Sequence, residues 1–162
     1  MFAPSPGAAV RAAPSALAIH LGDTRATLTR LLGPCEAAPG ADGVCVYWQR
    51  GLELELSSGR VQRMVAHQAG DASLLADGAA KGRFGLFRQS IGQVQIGMSA
   101  AALLNLLGPP DQRLLPLGNN PGPDAGVWEY PKRGLAVEVE PVAGKPQVVR
   151  IHVPLAPGRP AR

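Results

Sequence analysis

The sequence predicts an α+β protein built as two tandem repeats of a short helix followed by a three- to four-stranded antiparallel sheet. The helices are expected to pack on one face of the sheets. Three observations predict this. Residues 19–34, IHLGDTRATLTRLLGP, recur without a gap as VQIGMSAAALLNLLGP at 94–109. VYWQRGLELEL at 46–56 returns as EYPKRGLAVEV at 129–139, with Tyr47/Tyr130, Arg50/Arg133, Gly51/Gly134, Leu52/Leu135 and Glu55/Glu138 in matching places. The run Leu52-Glu53-Leu54-Glu55-Leu56 alternates strictly, the period of a strand with one wet face. Self-similarity at this spacing marks a duplicated supersecondary unit.

The duplication divides the chain into a tail at 1–15, a first helix-plus-sheet repeat at 16–67, a linker at 68–89, a second repeat at 90–153 and a tail at 154–162. Both tails are rich in Ala, Pro and Gly and are expected to be disordered. In the first repeat, Asp23 or Thr24 can accept from the free amides of a helix start, and Leu28, Leu31 and Leu32 form the apolar stripe. Gly33 supplies a left-handed end and Pro34 forbids continuation. Strands are expected at about 44–49, 51–56 and 61–67, turning at Arg50-Gly51 and Ser58-Gly59. The linker reads as a loop or marginal helix over 68–81. After it comes an apolar segment, Phe84, Leu86, Phe87 and Ile91, that forms a strand or packs beneath the second helix.

The second repeat follows the same plan. Ser99 caps, Leu103, Leu106 and Leu107 make the stripe, and Gly108-Pro109-Pro110 stops the helix. A long loop at 111–126 leads to strands at about 127–132, 134–140 and 147–153. Alternation points Leu52, Leu54, Leu56, Leu135, Val137 and Val139 inward. It points Glu53, Glu55, Glu138, Arg63, Arg150 and His152 outward onto a solvated face. On the first strands Cys45, Tyr47, Trp128 and Tyr130 share the core side. That turns Val46 and Trp48 to solvent, where Trp48 serves an interface or covers the seam between repeats.

The motifs Ile96-Gly97-Met98-Ser99, Leu107-Gly108-Pro109-Pro110 and Trp128-Glu129-Tyr130, with Leu21-Gly22-Asp23-Thr24, Leu32-Gly33-Pro34 and Tyr47 in the first half, carry a resemblance. The chain resembles the SmpA/OmlA (BamE-like) family of small lipoproteins and the related β-lactamase inhibitor protein fold. That resemblance covers most of residues 19–153. It implies helices packed on antiparallel sheets that form one broad surface, and a role in binding other proteins, as an assembly scaffold or by clasping an enzyme.

Composition bounds the alternatives. The net charge of +4 is spread out, with no basic run and few aromatics to stack bases, so a nucleic-acid interface is not expected. No apolar run approaches the roughly 18–20 residues of a membrane span. The first residues lack a signal-peptide pattern, which predicts a cytoplasmic location, or a periplasmic one if a signal peptide has been removed. Cys35 and Cys45 flank one loop and read as free thiols, with a loop disulfide as the alternative. His20, His67 and His152 are too far apart for a local metal motif and read as surface or edge residues, so neither metal nor cofactor is expected. No Gly-rich phosphate loop follows a strand.

The function expected is that of a non-enzymatic protein-binding module, an inhibitor or immunity-type antidote, or an adaptor in a secretion or envelope assembly. Its interface is placed on the exposed sheet face at Trp48, Arg50, Glu53, Glu55, Arg63, Arg133, Glu138 and Arg150. The alternative is a small-ligand or sensory domain with a pocket between helix and sheet near Phe84, Phe87 and Trp128. A third reading, a cysteine-based enzyme, requires a reactive thiol.

Overall fold

A computed structural model describes residues 15–35, 43–76, 82–115 and 124–154. The tails expected at 1–15 and 154–162 lie outside these residues except for Ser15 and Pro154, as do 77–81 of the linker and 116–123 of the long loop. The elements are α1 (Arg25–Leu32), β1 (Gly43–Tyr47), β2 (Leu52–Ser57), β3 (Arg60–His67), α2 (Ala100–Leu107), β4 (Gln112–Leu114), β5 (Gly126–Tyr130), β6 (Leu135–Val142) and β7 (Lys145–Val153). Single 3-10 turns, Trp48–Arg50 and Pro131–Arg133, join β1 to β2 and β5 to β6.

Both helices form where the caps were expected. The Thr24 hydroxyl accepts from the Thr27 amide, and the Ser99 hydroxyl accepts from the Ala102 amide. Gly33 and Gly108 end them at φ of 88° and 78°, a region where a glycine has no Cβ penalty. The last carbonyls find side-chain donors from the sheet: Tyr47 Oη donates to Gly33 O at 3.1 Å, and Tyr130 Oη to Gly108 O at 3.0 Å. Leu28 and Leu103 are the fully buried helix residues that join the sheet's core.

The two-repeat architecture is corrected. The strands do not form two sheets of three or four strands, one per helix. They form one seven-stranded antiparallel sheet in the order β1-β2-β3-β7-β6-β5-β4, and the fold is mostly sheet with two eight-residue helices among the described residues. The join is between β3 and β7, with Met64 opposite Val153 and Ala66 opposite Ile151. Two separate sheets would leave a row of unpaired amides and carbonyls on each third strand, beside apolar side chains. Pairing those edges satisfies both rows. A strand not expected from the sequence, β4, adds an edge inside the 111–126 loop by pairing with β5.

One face of the sheet carries the helices and a shared core of Leu52, Leu54, Leu56, Met64, Trp128, Val137, Val139 and Ile151. Among its described residues the linker forms no helix, and it leaves that side. Its residues 68–76 and 82–87 form a strap over the opposite face at the β1–β3 half. Asp71 and Gly70 exchange backbone hydrogen bonds with Phe84 at 2.8 Å each, which ties the two legs of the strap together. The second leg crosses the end of the sheet where Gly51, at φ 67°, leaves room for the backbone of Gly85 and Phe87.

Candidate functional site

The strap creates the most chemically concentrated place in the molecule. Alternation sends Glu53, Val65, His67, Arg150, His152 and Glu138 to the face opposite the helices, and the register lines them up. Val65 lies opposite Glu53 and His152, while His67 lies opposite Arg150, which lies opposite Glu138. Glu53 and His67 are 0% exposed. Glu53 accepts from His67 Nε2 at 2.6 Å, from the Ser73 hydroxyl at 2.6 Å and from the amides of Leu74 and Leu75 at 2.8 and 3.0 Å. His67 Nδ1 lies 2.9 Å from Asp71 Oδ2, so both ring nitrogens face carboxylates. Phe84 stacks on that ring at 4.1 Å and 6°, and Trp48 tilts against Phe84 at 4.6 Å.

The chain of charges continues outward. Arg150 donates to Asp71 through Nε at 2.6 Å and Nη2 at 2.9 Å, a bidentate pair. Its Nη1 reaches Glu138 at 3.1 Å and Glu140 at 3.4 Å, and His152 Nε2 lies 3.1 Å from Glu138. Burial pushes the Glu53 carboxyl up, but its donors from His67, Ser73, Leu74 and Leu75 outweigh burial and hold it below its ordinary value. The same balance holds for Asp71, where Arg150 and His67 overcome burial, and for Glu138, where His152 and Arg150 do. Burial pulls Arg150 down, yet Asp71 and Glu138 raise it well above its ordinary value.

These distances separate the expected interface residues into groups. Glu138 and Arg150 pair with each other and join Glu53 through Asp71 and His67. Glu55 and Arg63 pair at 2.7 Å on their own, with Gln62 also bound to Glu55. Glu53, expected on the solvated face, is instead buried beneath the strap. Val46, expected to face solvent, is also fully buried there. Trp48 is half-buried, with Gly82 and Phe84 against its ring. Arg50 and Arg133 are exposed, but antiparallel order places the β1–β2 and β5–β6 turns at opposite ends of the sheet, so the two do not share a patch.

His67, expected as a surface or edge histidine, is the buried centre of the network; it, Asp71 and Ser73 are the residues that sequence reasoning missed. The signal was present in Val44, Val46 and Val65, apolar side chains at wet-face positions, together with Phe84 and Phe87 in the linker. An apolar patch on a supposedly wet face requires a cover.

The cysteines also differ from the free-thiol expectation. Cys35, just past α1, and Cys45 on β1 form a disulfide with Cα atoms 5.3 Å apart. Among the described residues no cluster of His, Cys, Asp and Glu is arranged to hold a metal ion, and no helix is long and apolar enough to cross a membrane. The residues expected to line a pocket fill space instead. Phe84 and Trp128 are buried, and the Trp128 indole donates to Asp124 O at 2.9 Å while Arg113 covers its ring at 4.0 Å.

Compared with protein-family models, with curated proteins and with solved structures, the chain matches none. The resemblance to the SmpA/OmlA and β-lactamase inhibitor proteins therefore rests on its short motifs alone.

Proposed function

We propose that the protein is a non-enzymatic protein-binding module, acting as an inhibitor or immunity-type antidote or as an adaptor in a secretion or envelope assembly, through the half of the sheet face that the strap leaves open. One observation supports this reading above the others. A single cross-sheet row runs Leu114, Val127, Glu138, Arg150, His67 from the β4 edge to the strap. His67 is fully buried, whereas Arg150 at 18%, Glu138 at 23%, Val127 and Leu114 are all partly exposed. Such a surface offers apolar area beside an arginine and carboxylates already oriented by one another, the mixture that protein interfaces favour. The polar groups beneath the strap are consumed by mutual pairing, which speaks for recognition over chemistry. The Cys35–Cys45 bridge fits a compartment that sustains disulfides, so we place the protein's work in an oxidising environment such as the periplasm.

The test is capture of a stoichiometric partner from the native host's envelope fraction by the wild type, Val127→Glu and Arg50→Glu. Loss with Val127→Glu and retention with Arg50→Glu supports the open half as the interface. Equal capture by all three rejects it.

A second reading has its own observation. A cleft of about 370 Å³ on the helix side, between residues 16–21 and the sheet, is lined by Leu17, Ile19, Leu21, Met64, Ile91 and Val153. It suits a small apolar ligand, and a molecule retained in native mass spectrometry and lost in Met64→Trp would favour it.

A further inference from the structure

The strap's two parts are held by different forces. Its legs are fastened by apolar contact, since Phe84 is buried against His67 and Trp48 and Phe87 belongs to the core, and by the Asp71–Arg150 pair. Its tip, residues 72–76, contains no buried residue; Ala72 is exposed and Leu74 is 53% exposed. The tip's hydrogen bonds to the sheet converge on one carboxylate: Ser73 Oγ, Leu74 N and Leu75 N all donate to Glu53. Ser73 in turn accepts from the Ala76 amide, so the bend of the tip is built around the same anchor.

From this geometry we infer that residues 72–76 are an acid-releasable latch, closed by the Glu53 carboxylate and opened by its protonation. A protonated carboxyl carries a donor where three donors already converge. Ser73 can turn to accept the new proton, but the Leu74 and Leu75 amides then face a neutral carboxyl in place of a carboxylate, a weaker acceptor, and no buried apolar side chain in 72–76 resists the departure.

The charged surroundings set the direction. Facing Glu53 are His67 from β3 and, from the tip, Ser73 and the two amides. His67 is backed by Asp71 from the strap leg, Asp71 by Arg150 from β7, and Arg150 by Glu138 and Glu140 from β6, with His152 on Glu138. On the flanks, Val46 of β1 and Val65 of β3 bring no charge. The closed latch holds the Glu53 carboxyl below its ordinary value. Closure is therefore fully stabilised above the ordinary carboxylate value of about 4 and is lost as pH falls through the lower, latched value. The legs stay in place through the Phe84 and Phe87 contacts, which do not titrate and remain even where the Asp71 carboxylate of the first leg takes up a proton. Opening bares Glu53 and its neighbours Val46 and Val65 as an extension of the open face. That a partner docks there rests on the preceding proposal, whereas the latch itself does not.

Amide hydrogen exchange of the full chain, with no partner present, reads the latch directly. Protection of Leu74 and Leu75, corrected for intrinsic exchange, is expected to fall at least tenfold between pH 7 and pH 3. Val137 and Ile151 in the centre of the sheet should keep theirs. Glu53→Gln is expected to leave Leu74 and Leu75 poorly protected at both pH values, and Ser73→Ala to lower their protection at pH 7 without touching Val137. Unchanged protection of Leu74 and Leu75 at pH 3, or its loss only together with Val137 and Ile151, overturns the inference. If Glu53→Gln does not fold, the wild-type titration and Ser73→Ala decide alone. A negative result leaves the docking proposal standing, since no partner enters the experiment.

Discussion

Replacing Glu53 with alanine removes the acceptor of four hydrogen bonds, from His67, Ser73, Leu74 and Leu75. Ser73 and the two amides belong to an exposed tip and can turn to water. His67 cannot, being 0% exposed with Phe84 stacked on its ring. A buried donor left without its acceptor costs about 1–3 kcal/mol, and more where the lost acceptor is charged; His67 keeps Asp71 on its other nitrogen. With the bonds to Ser73, Leu74 and Leu75 lost as well, the expected loss is about 3 kcal/mol, against a total stability of about 5–15 kcal/mol for a domain of ordinary size. Urea unfolding followed by circular dichroism measures it, with Glu55→Ala as the internal comparison. Glu55 is the next outward residue of the same strand and is half-buried beside Arg63, so its removal should cost about 1 kcal/mol or less. If Glu53→Ala also costs only about 1 kcal/mol, Glu53 is an ordinary wet-face residue and the buried network is wrong.

Gly51 and Gly134 occupy matching sequence positions and have nearly the same φ, 67° and 68°, yet alanine should distinguish them. At Gly134 a Cβ meets nothing within 4 Å, leaving only left-handed strain of about 1–2 kcal/mol; at Gly51 it collides with the backbone of Gly85, Leu86 and Phe87. Thermal denaturation should show Gly51→Ala far more destabilised, and similar losses at both sites would argue against the strap's crossing there. Reducing the Cys35–Cys45 bridge reopens a loop of sequence separation 10, which loop-closure entropy values at about 3 kcal/mol. Urea midpoints with and without dithiothreitol check this, and identical midpoints would mean that the thiols are unbridged in solution.

The local elements were legible because their signals are local. Thr24 and Ser99 capped helices as read, Gly33 and Gly108 ended them, and alternation assigned Leu52, Leu54, Tyr47 and Trp128 to the core correctly. The repeated blocks also recur as local geometry, down to the tyrosine hydrogen bond at each helix end. What the repeat could not convey was which edges meet. The β3–β7 pairing joins residues from opposite halves of the chain, and no sequence period encodes it. The strap was hidden for a different reason. Asp71, Ser73 and Phe84 lie in a segment with no regular periodicity, and their role depends on the sheet face they cover. Glu53 illustrates the consequence: alternation gave its side correctly and its exposure wrongly, because a strand's pattern reports a face and not what lies over it.

Residues far apart in sequence clamp the strap onto the sheet through Asp71 and Arg150, and a double-mutant cycle tests this clamp most directly. Unfolding free energies of the wild type, Asp71→Asn, Arg150→Met and the double variant isolate the bidentate pair, whose side chains are 7% and 18% exposed. Hydrogen bonds to charged groups contribute about 1.5–3 kcal/mol each, so a coupling of about 2–3 kcal/mol is predicted. A coupling below about 0.5 kcal/mol, the level at which independent sites simply add, would mean that the strap does not lie where the network requires.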